Sequence, residues 1–562
     1  MTDRTTYKRE YMRRKRAAQK AAKMPVTAFF AFYSIKDTPG GKYAADIDDA
    51  AFYDGATVVK IKGIDDFFEK LRTRAGAWRI ITPQLGRLSH FIAAYALRSG
   101  FFSTPGTPQR GEFKISVNRW NDVIAAEVNP DGYAIVFEDL SALTPHLNRL
   151  WQRVQQDRPT VGNPLIEFYN ARKSFIENFK KATDVDISGC KTASGAAKRV
   201  LMSVYGSSPV YARDAFAGDY PTLPAGLPEA LRAGQAYKAG LNYAAPDAWT
   251  YHDAVTVADR HSAYPYVVAN FKLPFGAPTF YFGAATIPAN KYIIYHVTAL
   301  DARVKADGVP LFALKDAIRP GSTYRDKITF YGEQELYIDM YDLQLLTELY
   351  DIKFFTYDRF IAFNHAINPA LKEFMNWGYK LKSDPQTAET GKIMINGLIG
   401  RFGVMPERRQ TYFKNGKITL ASPVKGSDGY LPLAMAVNSI MRLLQARIIK
   451  ANKDIYLYGD TDSLFFKGTP DAPGLKYGDK MGEFSAEYWQ EFYFFGRKQY
   501  ILKSGGLVKK IFAGLPEKDI TGDNIKELIE SGRTEVETDG LRLNADYTVS
   551  QKKVKYLITR DI

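Results

Sequence analysis

At 562 residues, with 46% hydrophobic and 14% aromatic content, the chain is too long for one core and too apolar for global disorder, so it should divide into roughly three to five folded units. Its 76 Lys and Arg against 61 Asp and Glu leave a formal charge of +15, which suits a polyanionic partner such as nucleic acid or an anionic membrane surface. The single cysteine, Cys190, excludes an internal disulfide and a multi-cysteine zinc site; no apolar run reaches the ~18 residues of a bilayer span and no signal-peptide core opens the chain, so a soluble, cytoplasmic protein is expected.

Residues 1–24 form a basic head in which Arg4, Lys8, Arg9, Arg13, Arg14, Lys15, Arg16, Lys20 and Lys23 face only Asp3 and Glu10. Such a charge run repels itself, so the expectation is an arm that orders on DNA or another protein, or a solvated tail. From Met24 the pattern becomes globular. Strand-like Val26–Ile35 and Trp78–Thr82 alternate with helical Ile64–Arg72 and Leu88–Leu97, which makes an α/β unit. A helical region over 145–181 leads to a Gly/Ser connector at 188–197. The segment Tyr237-Lys238-Ala239-Gly240 follows, whose aromatic, base and glycine can hold a single strand by stacking and phosphate contact.

The strand Ala254–Ala258 delivers Asp259 to its end, ahead of Arg260-His261-Ser262-Ala263-Tyr264-Pro265. Residues 271–366 are mixed, with a strand at Tyr292–Val297, a loop at Arg319-Pro320-Gly321 and a helix near Tyr341–Tyr350. Helical periodicity over Ile367–Lys382 ends in Lys380-Leu381-Lys382-Ser383-Asp384-Pro385, a breaker before a second helix, Thr387–Phe402. There Lys392 and Asn396 share a face at i, i+4, and the glycines 397 and 400 predict close approach by a ligand or another backbone. Lys414-Asn415-Gly416-Lys417 is a two-residue hairpin signal that predicts a small protruding ribbon.

After an apolar helix at Leu431–Ala451 comes Ile455-Tyr-Leu-Tyr458-Gly459-Asp460-Thr461-Asp462-Ser463-Leu-Phe-Phe466, two β-rich runs meeting at a tight turn. Asp460 and Asp462, two residues apart on extended backbone, would point the same way. Carboxylates so close, beside so many apolar residues, call for a hard, oxygen-bound cation such as Mg²⁺. Alone, an Asp-x-Asp tip is also what an ordinary polar hairpin carries. Farther on, strand-like Phe492–Ile501 puts Lys498 and Tyr500 on one face, a pairing able to grip a phosphodiester backbone.

Taken in order, these pieces resemble the motifs of the family-B DNA polymerases. Motif A is matched by Asp259-Arg-His-Ser262-Ala-Tyr264-Pro265, motif B by Lys392-x-x-x-Asn396-Gly-x-x-Gly400, and motif C by Tyr458-Gly-Asp460-Thr461-Asp462-Ser463. The chain length, the Tyr-x-x-Gly element at 237–240 and the insertions on both sides of motif B look most like the protein-primed branch of phages and linear plasmids. The resemblance implies an α/β and α+β multidomain protein: a right-hand polymerase of palm, fingers and thumb behind an N-terminal exonuclease-like domain of RNase H-like fold. Its divisions would be a basic arm (1–24), the exonuclease-like domain (25–196), palm (197–270), a first insertion (271–366), fingers (367–402), a second insertion (403–432), palm again (433–510) and thumb (511–562).

By the same resemblance, Asp259 and Asp462 are the ligands of two Mg²⁺ ions, with Mn²⁺ able to substitute, and Asp460 assists. Lys392 neutralises the triphosphate and supplies a proton to pyrophosphate. Ser262, Tyr264, Asn396, Ile399, Lys380 and Lys382 serve the nucleotide, with Tyr264 excluding a ribose 2′-hydroxyl. Tyr237, Gly240, Thr461, Lys498 and Tyr500 contact DNA. The implied partners are a DNA primer-template, dNTPs and a terminal protein primer; the protein is expected to act as a monomer, in a bacterial host's cytoplasm if phage-encoded.

Two departures stand out. After Asn396 the family's Ser-Leu-Tyr is replaced by Gly397-Leu398-Ile399, which puts an aliphatic beside the nascent base pair and bears on fidelity. The exonuclease carboxylates are also missing: the first strand reads Phe30-Ala31-Phe32-Tyr33 where an Asp-x-Glu pair is expected, and the next motif aligns at Gln84 and Leu88, with Glu167 as a candidate third acid. The expectation is an exonuclease-like fold without proofreading. Outside the catalytic reading, the chain could be a non-catalytic DNA-binding replication factor, or a polymerase that starts without a primer.

Overall fold

The run Phe29-Phe30-Ala31-Phe32 has no polar face, and in the computed structural model of the chain it lies in a strand, Val26–Asp37, buried on both sides. The structure describes residues 26–37, 45–72, 78–98, 113–117, 123–128, 135–139, 143–144, 146–147, 162–190, 192–206, 208–249, 252–283, 285–312, 327–332, 335–404, 407–408, 410–414, 417–420, 424–425, 429–515, 519–543 and 548–559. The basic head and the loop at 319–321 lie outside these. The chain divides into two units. One comprises Met1–Ala193, Glu407–Gly426 and Asp539–Lys553, the other Ser194–Pro406, Ser427–Thr538 and Val554–Ile562.

The first unit is built on a sheet of nine strands among the described residues, in the order 417–420, 410–414, 113–117, 123–128, 135–139, 78–82, 26–37, 45–53, 58–61. Alternation along the strand Val26–Asp37 sends Ala28, Phe30 and Phe32 to one face, against Phe67, Phe68, Leu88 and Phe91 of the helices Ile64–Arg72 and Leu85–Arg98. Phe29 and Ala31 go to the other, under Leu165 and Phe168 of the helix Gly162–Thr183. A strand covered on both faces needs an unbroken apolar run, which is what the sequence has. The hairpin around 415–416 forms as expected, Lys414 opposite Lys417. It does not simply protrude, however. Gln410–Tyr412 pairs antiparallel with Lys114–Ser116, so the ribbon extends the sheet of this unit.

The second unit carries an antiparallel sheet of seven strands, in the order 507–512, 499–504, 484–496, 252–260, 463–467, 456–460, 242–244. One face packs Val255, Val257, Leu457, Tyr458, Phe465, Phe492 and Tyr500 together. The other packs Ala258, Leu464 and Phe466 with the helix Leu431–Ala451. That helix also meets a second sheet, where Leu273–Phe282, Tyr350–Ala366, Lys291–Val304 and Lys327–Phe330 lie side by side. The 17-residue strand Tyr350–Ala366 was not anticipated; its alternating, charge-interrupted pattern has few β-branched residues to announce it. Two antiparallel helices, Pro369–Ser383 and Ala388–Phe402, complete the site side of the unit. A capping box of Thr521 and Asn524 starts the helix Gly522–Ser531.

Two sequence expectations change here. The glycine that requires close approach is Gly391: an added Cβ would overlap the Lys382 amide and the Gly378 carbonyl, whereas at Gly400 it would meet open space. And residues 492–501 are not one strand. Phe484–Gly496 turns at Arg497-Lys498 into Gln499–Ser504, because Lys498 takes a left-handed φ of +57°.

Candidate active site

The strand His252–Arg260 sits in the middle of the seven-stranded sheet and carries Asp259 next to its end. Register places Asp259 opposite Ser463 on one neighbour and opposite Ser485 on the other. Ser463 is in turn opposite Asp460. Two motifs some two hundred residues apart are thereby joined by backbone pairing, and the Ser463 hydroxyl donates to Asp259 Oδ1 at 2.5 Å.

Asp460 ends the strand Tyr456–Asp460, but the extended backbone that the spacing suggested does not run on to Asp462. The Asp462 amide donates to the Asp460 carbonyl at 2.8 Å across Thr461, whose φ is +66°. This is a three-residue γ-turn of the rare positive-φ kind. Asp460 pairs with Lys498 Nζ at 3.0 Å, while Asp462 is repelled by Asp259 first and by Asp460 as well, and drawn by Lys498. A turn of this shape persists only if its surroundings fix it. The Thr461 amide donates to Leu241 O (2.8 Å), Gln445 Nε2 donates to Thr461 O (3.1 Å), and the Arg260 amide donates to Asp462 O (3.1 Å). Gly240 is required beside it, since a Cβ there would stand 2.7 Å from the Tyr264 hydroxyl and 2.9 Å from Thr461 Cγ2.

Charge is concentrated at the turn. Burial, followed by the neighbouring Asp259, pushes the Asp462 carboxyl up to about 6. Burial and then Asp462 push the Tyr264 phenol up to about 12. Lys382 donates from Nζ to Ser262 Oγ at 2.7 Å. Burial and then Lys392 lower its pKa against the pull of Asp259 and Asp462. Lys392 is paired with Glu389 one turn back at 3.0 Å. The structure therefore brings Asp259, Asp462, Ser262, Tyr264 and Lys382 together, with Asp460 and Lys498 at the far side of the turn. Asn396 and Lys380 are exposed and Ile399 half-buried on the two helices beyond. Tyr237 lies under the Arg232 guanidinium, 4.7 Å from its ring centroid. Tyr500 is different: it is only 7% exposed and packs edge-on against Phe465 in the core below.

Several residues at the site escaped the sequence reading. Arg442 binds Asp342 through Nε and Nη2 and donates from Nη1 to the carbonyls of Lys238 (3.0 Å) and Ala239 (2.8 Å), while Lys238 Nζ reaches Asp342 Oδ2 at 3.0 Å. Burial alone would raise the Asp342 carboxyl, but Arg442 and Lys238 outweigh it and hold it low. The available signal was Arg442 as the first charge in the otherwise apolar start of the helix Leu431–Ala451. Nothing in the local sequence marks Glu389 or Gln445.

Among the described residues no three Asp, Glu, His or Cys side chains converge as a ready-made cage. The donors present are the two carboxylates of Asp259 and Asp462. Desolvated and mutually repelling, they fit a hard divalent cation whose remaining oxygens come from water and substrate.

A model of the family described as DNA polymerase type B, organellar and viral, matches residues 165–458, from the helix before the second unit through motif A, motif B and the first strand of the hairpin. The chain belongs to this family. Among curated proteins, the chain is 30% identical over 233 residues to a DNA polymerase of Streptococcus phage Cp-1, a match that spans 38% of this chain and 40% of that relative's length. Its fold matches structures of Phi29 DNA polymerase: one complexed with primer-template DNA (TM-score 0.77, 16% identity) and one with primer-template DNA and incoming nucleotide (TM-score 0.76, 17% identity). Each match covers 95% of this chain and 100% of the other. The fold is thus the mixed α/β, multidomain fold of that polymerase.

Proposed function

We propose that the chain is a template-directed DNA polymerase that adds dNTPs to a primer 3′-hydroxyl. The observation that carries this reading is the proximity of Asp259, on the strand His252–Arg260, to Asp462, in the turn between two other strands, with Lys382 facing both. Bound there, two Mg²⁺ ions would activate the primer hydroxyl and neutralise the triphosphate. The protein's own residues do the rest. Ser463 orients Asp259, and Lys498 keeps Asp460 aside as an auxiliary charge. Lys382 and Lys392 offer two cations to phosphate oxygens, and Lys392 must exchange Glu389 for substrate before it can protonate pyrophosphate. Tyr264, backed by Gly240 and Thr461, presents its ring where a 2′-hydroxyl would clash. Asn396, Ile399 and the exposed Lys380 line the nucleotide's approach. Tyr237, Gly240, Thr461 and Lys498 lie along the DNA path; Tyr500 acts through packing beneath it.

The direct test is extension of a primed template with dNTPs and Mg²⁺. Asp259→Asn and Asp462→Asn should each lower kcat by roughly 10³-fold or more, the scale of losing one electrostatic anchor of a transition state. Extension by Asp259→Asn at the rate of the unaltered protein would overturn the assignment.

The fold of Phi29 DNA polymerase and the match to a phage enzyme support protein-primed replication of a linear genome, with a terminal protein as partner and strand displacement during synthesis. The signature is a labelled dNMP attached covalently to a small protein encoded beside this gene. Copying of unprimed circular DNA with no added protein would instead establish primer independence. For the first unit we infer no proofreading. Gln84 spends its amide on backbone, accepting from the Phe32 amide at 3.0 Å and donating to the Phe32 carbonyl at 2.7 Å. Ala31 and Leu88 are fully buried and Glu167 is exposed on its helix, while the Tyr33 side chain lies outside the described residues. A 3′-labelled single strand incubated with enzyme and metal should keep its length.

A further inference from the structure

The residue after Asp259 is a buried arginine with no acid. Arg260 is 4% exposed. Its guanidinium lies 4.2 Å from the Phe484 ring centroid and donates from Nη1 to Gly482 O at 3.0 Å; its Nε is buried without an acceptor. It makes no ion pair with an acid among the described residues. Burying a cation this way is costly, and an apolar side chain would fill the same volume more cheaply.

Ser262, two residues on, gives a reason for retaining it. This residue starts the helix Ala263–Asn270, yet its φ and ψ are +48° and 52°, left-handed, and its side chain caps nothing. An ordinary serine N-cap is extended and turns its hydroxyl to the helix amides. Left-handed backbone is unfavourable for a residue with a Cβ, so something must hold Ser262 there. Residue 482 grips the segment from both sides. Before Ser262, Arg260 reaches Gly482 O and the Gly482 amide donates to His261 O at 2.8 Å; after it, Gly482 lies so close to the Tyr266 ring that a Cβ would overlap it, and the Tyr266 amide donates to Ser262 O. Held in this way, the Ser262 hydroxyl is free to accept from Lys382. Relaxed to an ordinary cap, it would turn away and release Lys382.

We propose that Arg260 is a positioning residue: its guanidinium, bridging Gly482 and Phe484, keeps Ser262 left-handed and so sets Lys382 and Tyr264 for the incoming nucleotide. This rests on the polymerase reading, and the test separates the two. Arg260→Met should raise the dNTP KM about tenfold, more than it lowers kcat, and weaken preference for deoxy over ribonucleotides. Arg260→Lys should not rescue it, because an ammonium cannot stack flat on Phe484 and still reach Gly482. Gly482→Ala attacks the same bracket from the other side, and the double variant should be no worse than the worse single. Without any substrate, Lys382 should be acetylated several-fold faster in Arg260→Met, read by mass spectrometry. Unchanged acetylation, or unchanged KM and sugar preference with only a lower Tm, would refute the positioning role. A protein that shows the acetylation change but extends no primer would leave the bracket standing and refute the polymerase reading.

Discussion

Replacing Asp462 by asparagine should abolish extension and stabilise the fold at once. The carboxyl is held at about 6 against an ordinary 3.8 by burial and by Asp259. A tenfold change in proton affinity is worth about 1.36 kcal/mol, so ionising Asp462 at neutral pH costs the native state about 3 kcal/mol. The sign follows from proton binding. Between 3.8 and 6 the native state holds the proton more tightly than the unfolded chain, so this group's penalty is complete above about pH 6 and disappears as pH falls toward 3.8. Asparagine copies the protonated form and escapes the penalty. The gain should be about 3 kcal/mol at pH 7.5 and about 1.5 kcal/mol at pH 5, or roughly 3–5 °C in the unfolding of the second unit at the higher pH. Thermal melts in chelator, where only the protein's own charges act, measure it directly. A variant that is destabilised at pH 7.5, or whose gain is the same at both pH values, would show that the carboxylates are not coupled as described.

Lys498→Met removes the counter-ion of Asp460 and one influence that lowers Asp462, so the acid limb of the extension rate should move toward neutral pH, as a pH–rate profile would reveal. Asp342→Ala leaves Arg442 buried without its partner and should cost about 3–5 kcal/mol, seen as a lower denaturation midpoint; a neutral result would mean Lys238 and the carbonyls satisfy the guanidinium alone. Gln84→Ala strands the Phe32 amide and carbonyl and should destabilise the first unit by about 1–3 kcal/mol while primer extension is unaffected, measured by melting and by extension on the same sample.

What the sequence made legible was local. Periodicity located the helices Ile64–Arg72, Pro369–Ser383 and Ala388–Phe402, and the hairpin Tyr456–Lys467 followed from β-rich runs around a tight turn. The residues Asp259, Asp462, Ser262, Tyr264 and Lys382, named separately, converge in space. Two-residue spacing misjudged Asp460 and Asp462, since it assumes extended backbone and Thr461 is left-handed. Lys498 was misplaced for the same reason. Partners distant along the chain were invisible: Asp342 meets Arg442 a hundred residues away, and Gln410–Tyr412 adds to a strand at 114–116. Tertiary pairing of that kind leaves no mark in composition or period.

Ala31 occupies a place where a carboxylate would find neither water nor a partner. Its methyl sits at 0% exposure beneath Leu165 and Phe168, so an aspartate arriving there by mutation would meet hydrocarbon rather than water or a cation. Ala31→Asp should therefore destabilise the first unit rather than create a metal site. If the first unit lacks proofreading, as proposed, accuracy of copying would rest on nucleotide choice at the second unit.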